Sequence, residues 1–194
     1  PAMSERRDME IIGALVPEGS RVLDLGCGNG EMLAWLQKHR GCSGYGIEID
    51  DANVLSSVQR GVNVIQLNLE EGLALFDDHS FDVVLQIHTL QHLRNTERML
   101  RETARVGRIG IVAFPNFAHW PNRLHVMTGR MPVTRTLPYQ WYDTPNIRVG
   151  TYADFEVLAG KCGLQVTDSF GLQAGHVVRR WPNLMASVAV FRFE

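Results

Sequence analysis

Cysteine is scarce in this chain. Its 194 residues hold three, Cys27, Cys42 and Cys162, an odd number with no C-x-x-C pair among them. That argues against a disulfide framework and a thiolate zinc cluster, and fits reduced thiols in a cytoplasmic protein. Long apolar runs are missing too: no stretch approaches the roughly 20 residues needed to cross a bilayer. The first residues, PAMSERRDMEIIG, lack the apolar block of a secretory signal, and Pro1 and Ala2 ahead of Met3 read as a cloning remnant. Neither sign of charge dominates. Lys and Arg number 19 against 21 Asp and Glu, a net charge of −2, so neither nucleic acid nor an anionic membrane is an expected partner. His88 and His92 stand four apart without the glutamate of an H-E-x-x-H pair. Two ligands do not make a metal site, and no metal is expected.

What is present is alternation. Residues 21–25, 44–49, 62–67, 81–86 and 108–114 are short β-branched runs, nearly continuous in apolar character as buried parallel strands are. Helical stretches fall at 4–15, 31–40, 51–60 and 95–106, the third opening on Asp50 or Asp51 and closing at Gly61. After Pro115 the alternation stops until Thr151-Tyr-Ala-Asp154, a capping-box pattern that opens a helix running to Gly163. Strand-like runs follow near 164–170 and 186–193. Such a pattern predicts one α/β domain over residues 3–194, an open doubly wound sheet, with an insertion at 115–150.

The strongest chemical signal is Val22-Leu-Asp-Leu-Gly-Cys-Gly-Asn-Gly30, which ends the first strand and opens a helix. Gly26 and Gly28 permit a tight turn and leave no Cβ in the way of a ligand, while the helix start offers free N–H groups. Glu48 closes the second strand where a ribose-binding acid sits in nucleotide folds, and Asn68 closes the third where it can meet an adenine edge. The spacing is G-x-G-x-G rather than G-x-G-x-x-G, and no Walker lysine follows.

With D-L-G-C-G-N-G, G-I-E-I-D, and S-F-D-V-V-L followed by L-Q-H-L, the chain resembles the class I S-adenosylmethionine-dependent methyltransferases over nearly its whole length. The resemblance implies their Rossmann-like fold: seven strands, order 3-2-1-4-5-7-6, with the seventh antiparallel. It implies S-adenosylmethionine or S-adenosylhomocysteine as cofactor. Asp24 and the backbone of Gly26, Cys27, Gly28 and Gly30 would then hold the methionine moiety. Glu48 with Ile49 would take the ribose and Asn68 with Leu69 the adenine, while Gln86, Ile87 and His88 would lie near the sulfonium. Asn68 departs from the family, where Asp is common.

Methyl transfer asks for alignment and sometimes a base. His88 is the candidate base, since it follows the fourth strand at the presumed methyl site; His92 reads instead as a loop-holding residue. Trp35, Met32 and Leu36 read as core, and Arg179-Arg180-Trp181-Pro182 as a solvated turn. The insertion carries Arg123, Arg130, Arg135 and Arg148 against the single acid Asp143, with exposed-looking aromatics. That combination suits a lid over a carboxylate ligand or a partner's acidic patch, with Phe117, His119, Trp120, Arg123, Tyr139, Trp141 and Tyr142 as the surface. F-P-N-F-A-H-W, G-R-M-P-V-T and L-P-Y-Q-W-Y-D-T-P-N-I resemble the methionine-biosynthesis MetW family. This second resemblance implies a bacterial cytoplasmic protein that assists or regulates a homoserine O-acyltransferase. The competing expectation is a true methyltransferase on a small, anionic molecule.

Overall fold

The structure is a computed structural model that describes residues 3–194; Pro1 and Ala2 lie outside the described residues. Its strands are β1 (Arg21–Leu25), β2 (Ser43–Glu48), β3 (Val64–Gln66), β4 (Phe81–Ile87), β5 (Gly107–Pro115), β6 (Val166–Gln173), β7 (His176–Val178) and β8 (Val188–Phe193). Its helices are α1 (Met3–Gly13), α2 (Glu31–Arg40), α3 (Asp51–Gln59), α4 (Thr96–Val106), α5 (Trp120–Met127), α6 (Tyr152–Lys161) and α7 (Pro182–Met185).

All eight strands form one sheet in the order β3-β2-β1-β4-β5-β8-β6-β7. The first five pair in parallel and β8 runs antiparallel to both β5 and β6. The expected order is therefore present, and the count is corrected from seven strands to eight. The extra strand, β7, folds back on β6 through Ala174 and Gly175, with φ of 50° and 82°. Positive φ at both central residues is the signature of a two-residue type I′ hairpin. Three residues are too few to show an alternation in sequence.

Val22, Leu23 and Leu25 of β1 are fully buried, because the strand is covered on both faces. One face carries α4 and α6: Met99, Leu100 and Val106 meet Phe155, Ala159, Phe191 and Phe193. The other carries α1 and α2, where Ile12, Met32, Leu33 and Leu36 pack on Val83, Leu85 and Ile111. The read caps hold. The Asp50 carboxylate accepts from the Asn53 N–H at 3.0 Å, and the Thr151 hydroxyl accepts from the Asp154 N–H at 3.1 Å.

The insertion, for which the sequence offered no element, contains α5 with Pro121 in its first turn. Leu124, Val126 and Met127 of that helix are exposed, so no apolar stripe marked it. Asn116 fastens the segment. Its Nδ2 donates to the carbonyls of Ala186 (2.8 Å), Asn183 (3.0 Å) and Pro182 (3.4 Å), and its Oδ1 accepts from Ala118 (3.2 Å) and Tyr152 (3.1 Å). Arg179 is not simply solvated: it pairs with Asp168 at 2.9 Å and lies over the Phe170 ring. Among the described residues no helix is long and apolar enough to cross a membrane.

Candidate functional site

The carboxyl ends of β1, β2, β3 and β4 open on a cleft of about 390 Å³. This is where the order of an open α/β sheet reverses and its ligands bind. Gly26, Glu48, Ile49, Asn68, Leu69 and His88, all expected there, line it directly, whereas Asp24, Cys27, Gly28 and Gly30 stand behind its wall. Gly26, Gly28 and Gly30 all have positive φ, 75°, 55° and 75°. A Cβ on Gly26 would come within 2.7 Å of the Thr89 hydroxyl, and one on Gly30 within 2.9 Å of the Ser57 hydroxyl. Gly28 differs, because a Cβ there meets nothing within 4 Å. Its glycine answers to backbone conformation, with open space beside it.

Glu48 closes the loop. Its carboxylate accepts from the N–H groups of Gly28 (2.8 Å), Ile49 (2.8 Å) and Asp50 (3.0 Å). Asp24, 3% exposed beneath the loop, has no hydrogen-bond partner among the described residues. Burial first, and the Glu48 charge second, push its carboxyl up to about 7. A buried acid without a partner is costly unless something charged or donating meets it. Cys27 lies inside the loop, its thiol pushed up to about 12 chiefly by burial, and is no nucleophile.

The third and fourth strand ends are mixed. Asn68 Oδ1 accepts from the Glu70 N–H at 3.0 Å, and its Nδ2 has no partner among the described residues. Gln86 is corrected: its side chain is fully buried, donates to the Thr103 hydroxyl of α4, and does not line the cleft. Side chains alternate along a strand, so Gln86 faces α4 while Ile87 packs with the core on the opposite face. Ile87 also stays off the cleft wall. His88 is exposed to the cleft but ringed by protein at longer range. Burial, then His92, lowers its pKa, and no described group orients its ring by hydrogen bonding. His92 holds a loop, with Nδ1 3.2 Å from the Pro145 carbonyl.

Two contributors carried no local signal. The Thr89 hydroxyl donates to the Leu25 carbonyl at 2.7 Å, and the Ser57 hydroxyl to the Gly28 carbonyl at 3.0 Å. Both brace the glycine loop from far along the chain.

The insertion meets the rim rather than roofing the cleft, for none of its residues lines the cleft wall. It docks on the turn after β4, where Ile147 and Arg148 N–H donate to the Gln91 carbonyl at 2.8 and 3.0 Å. Three of its arginines serve as fasteners. Arg123 donates to the Ala118 carbonyl, Arg148 to that of Arg94, and Arg135 to the Ser4 hydroxyl of α1. His119 is buried, and burial lowers its pKa; Phe117 lines an inner cavity with Leu137. Trp120, Tyr139, Trp141 and Tyr142 are exposed, the last two at 71% each.

Glycine loop, acid-closed second strand and strand order together define a class I methyltransferase fold. Solved structures agree. An S-adenosylmethionine-dependent methyltransferase of Thermotoga maritima matches with a TM-score of 0.71 at 20% identity, covering 97% of this chain and 87% of that one. The magnesium protoporphyrin IX methyltransferase of Synechocystis PCC 6803, solved with bound S-adenosylhomocysteine, matches with a TM-score of 0.68 at 17% identity, covering 98% and 83%. The family described as methionine biosynthesis protein MetW matches residues 6–193, and the chain belongs to that family. The bifunctional methionine biosynthesis protein MetXA/MetW of Rhodopirellula baltica is 37% identical over 201 residues, which cover 96% of this chain. The chain spans about a third (32%) of that relative's length.

Proposed function

We propose that this protein binds S-adenosylmethionine or S-adenosylhomocysteine and assists or regulates a homoserine O-acyltransferase of methionine biosynthesis in the cytoplasm. The observation that carries the binding is Asp24, an unpartnered buried acid beneath a glycine loop that opens on empty space at Gly28. The methionine end of either ligand carries an ammonium group, which supplies the missing charge. Glu48 keeps one lone pair, on Oε2, for a ribose hydroxyl, and Asn68 Nδ2 offers an amide to the adenine. Bound S-adenosylmethionine supplies an activated methyl group.

The partner rests on the joint name of the R. baltica relative, in which the matched region is one part of a longer chain. Residues 3–194 act as one domain on this reading, and insertion 115–150 is the partner surface rather than a substrate lid. Titration with S-adenosylhomocysteine should show binding that Gly28→Val abolishes, because a β-branched residue at φ 55° is strained and fills the approach. Acyltransferase rates with and without this protein test the second half. No complex and an unchanged rate would sink it.

One observation favours methyl transfer instead: His88 faces the cleft, its pKa lowered by burial and then by His92. Labelled S-adenosylmethionine with cell extract should then give a labelled small product that His88→Ala loses. The engagement of three insertion arginines by neutral groups weakens the anionic-substrate version.

A further inference from the structure

A groove of about 640 Å³ runs between the first turns of α6, the start of α7 and helix α5. Its size is within the range of ligand pockets, roughly 300–1,000 Å³, and it shares no lining residue with the nucleotide cleft. One buried side chain ties its three walls together. Asn116 donates to the Pro182 and Asn183 carbonyls of α7, and accepts from the N–H of Tyr152 in α6 and of Ala118 just ahead of α5. The walls are therefore in place before any ligand arrives, which lowers the cost of binding one.

Two opposite charges stand on this groove without meeting. Arg123 of α5 gives its Nε to the Ala118 carbonyl at 2.6 Å, which fixes the side chain and leaves Nη1 and Nη2 without a partner among the described residues. Glu156 of α6 lines the same groove, neither hydrogen-bonded nor ion-paired among the described residues, and its charge opposes ionisation of Tyr152 in the wall. The apolar side is Trp181 with Pro182 and Leu184. Trp181 is left-handed, with φ 51° and ψ 50°, and its carbonyl accepts from the N–H groups of Leu184 and Met185 at 2.9 Å. A bulky residue is an outlier in that conformation, and glycine would make the same turn without strain. Strain kept beneath a tryptophan that is 64% exposed argues for a use of the indole itself. Arg180 lies over its ring at 4.7 Å and steadies it.

We propose that this groove binds a free α-amino acid with a large apolar side chain. Its carboxylate meets Nη1 and Nη2 of Arg123, its ammonium meets Glu156, and its side chain lies along Trp181 and Leu184. A zwitterion answers both charges at once. An acid alone is repelled by Glu156, and an amine alone by Arg123.

NMR titration of the full chain, following the indole N–H of Trp181 assigned through Trp181→Phe, tests it with L-phenylalanine, 3-phenylpropanoate, 2-phenylethylamine and L-alanine. The second probe lacks the ammonium, the third the carboxylate and the fourth the apolar body. L-Phenylalanine should shift the resonance, and each of the others should bind at least about tenfold more weakly. Arg123→Gln should weaken L-phenylalanine by about tenfold and 2-phenylethylamine not at all; Glu156→Gln should weaken L-phenylalanine alike and 3-phenylpropanoate not at all. Melting curves verify that each variant folds. No shift at Trp181 with L-phenylalanine overturns the proposal, as does an equal response to all four probes or an affinity that neither variant changes. The site is read at Trp181, so the outcome stands whether or not S-adenosylhomocysteine binds the cleft.

Discussion

Asp24 gives this protein a pH dependence that can be signed in advance. Its folded value of about 7 stands above the ordinary 3.8, so in that window the native state keeps a proton that the unfolded chain has lost. Stability then falls as pH rises from about 4 to 7 and levels off above, by on the order of 4 kcal/mol at most. Urea denaturation at pH 5, 6 and 8 should show the slope, and Asp24→Asn should flatten it. Ligand binding runs the other way. An ammonium prefers the ionised carboxylate, so affinity for S-adenosylhomocysteine should rise toward pH 7 with release of a proton, and Asp24→Asn should lose that rise. The motif containing Asp24 was legible in sequence because it is contiguous. That Gln86 turns away from the cleft was not, since it depends on which face of β4 meets α4.

At the scale of elements, two side chains fix how the insertion sits. Asn116, 1% exposed, gathers β5, α6 and α7 through five hydrogen bonds. Asn116→Ala leaves several buried backbone groups without partners and should cost about 3 kcal/mol in chemical denaturation. A loss below about 0.5 kcal/mol would show that water takes its place. His92 makes a single, more exposed contact with the Pro145 carbonyl. His92→Ala should cost about 1 kcal/mol or less overall, and its mark should be local: faster hydrogen exchange at Ile147 and Arg148, with β-strand amides unaffected. Helices α2, α3, α4 and α6 were readable because each pairs a periodic face with a cap or glycine. Helix α5 and strand β7 were not, one being apolar toward solvent and the other three residues long.

Taken whole, the molecule separates its surfaces. The nucleotide cleft opens over β1, β2, β3 and β4, while Trp120, Tyr139, Trp141 and Tyr142 stand exposed on the insertion. Exposed aromatics of this kind anchor protein interfaces. If this surface receives the acyltransferase, Trp141→Ala should weaken the complex by about tenfold or more without moving the melting temperature or the affinity for S-adenosylhomocysteine. Gel filtration and calorimetry of the mixed proteins would read this. A weakened complex accompanied by a lowered melting temperature would mark Trp141 as a structural residue instead.

Contiguous residues were enough to determine the fold class, the glycine loop, the acid that ends β2 and the family, because each is a local pattern legible in its spacing. Only the tertiary structure decided that Thr89 and Ser57 brace the loop, that Gln86 is spent on α4, and that the insertion sits at the rim rather than over the cleft. These outcomes rest on packing between segments far apart in the chain, and local spacing holds no record of which distant surface a side chain will meet.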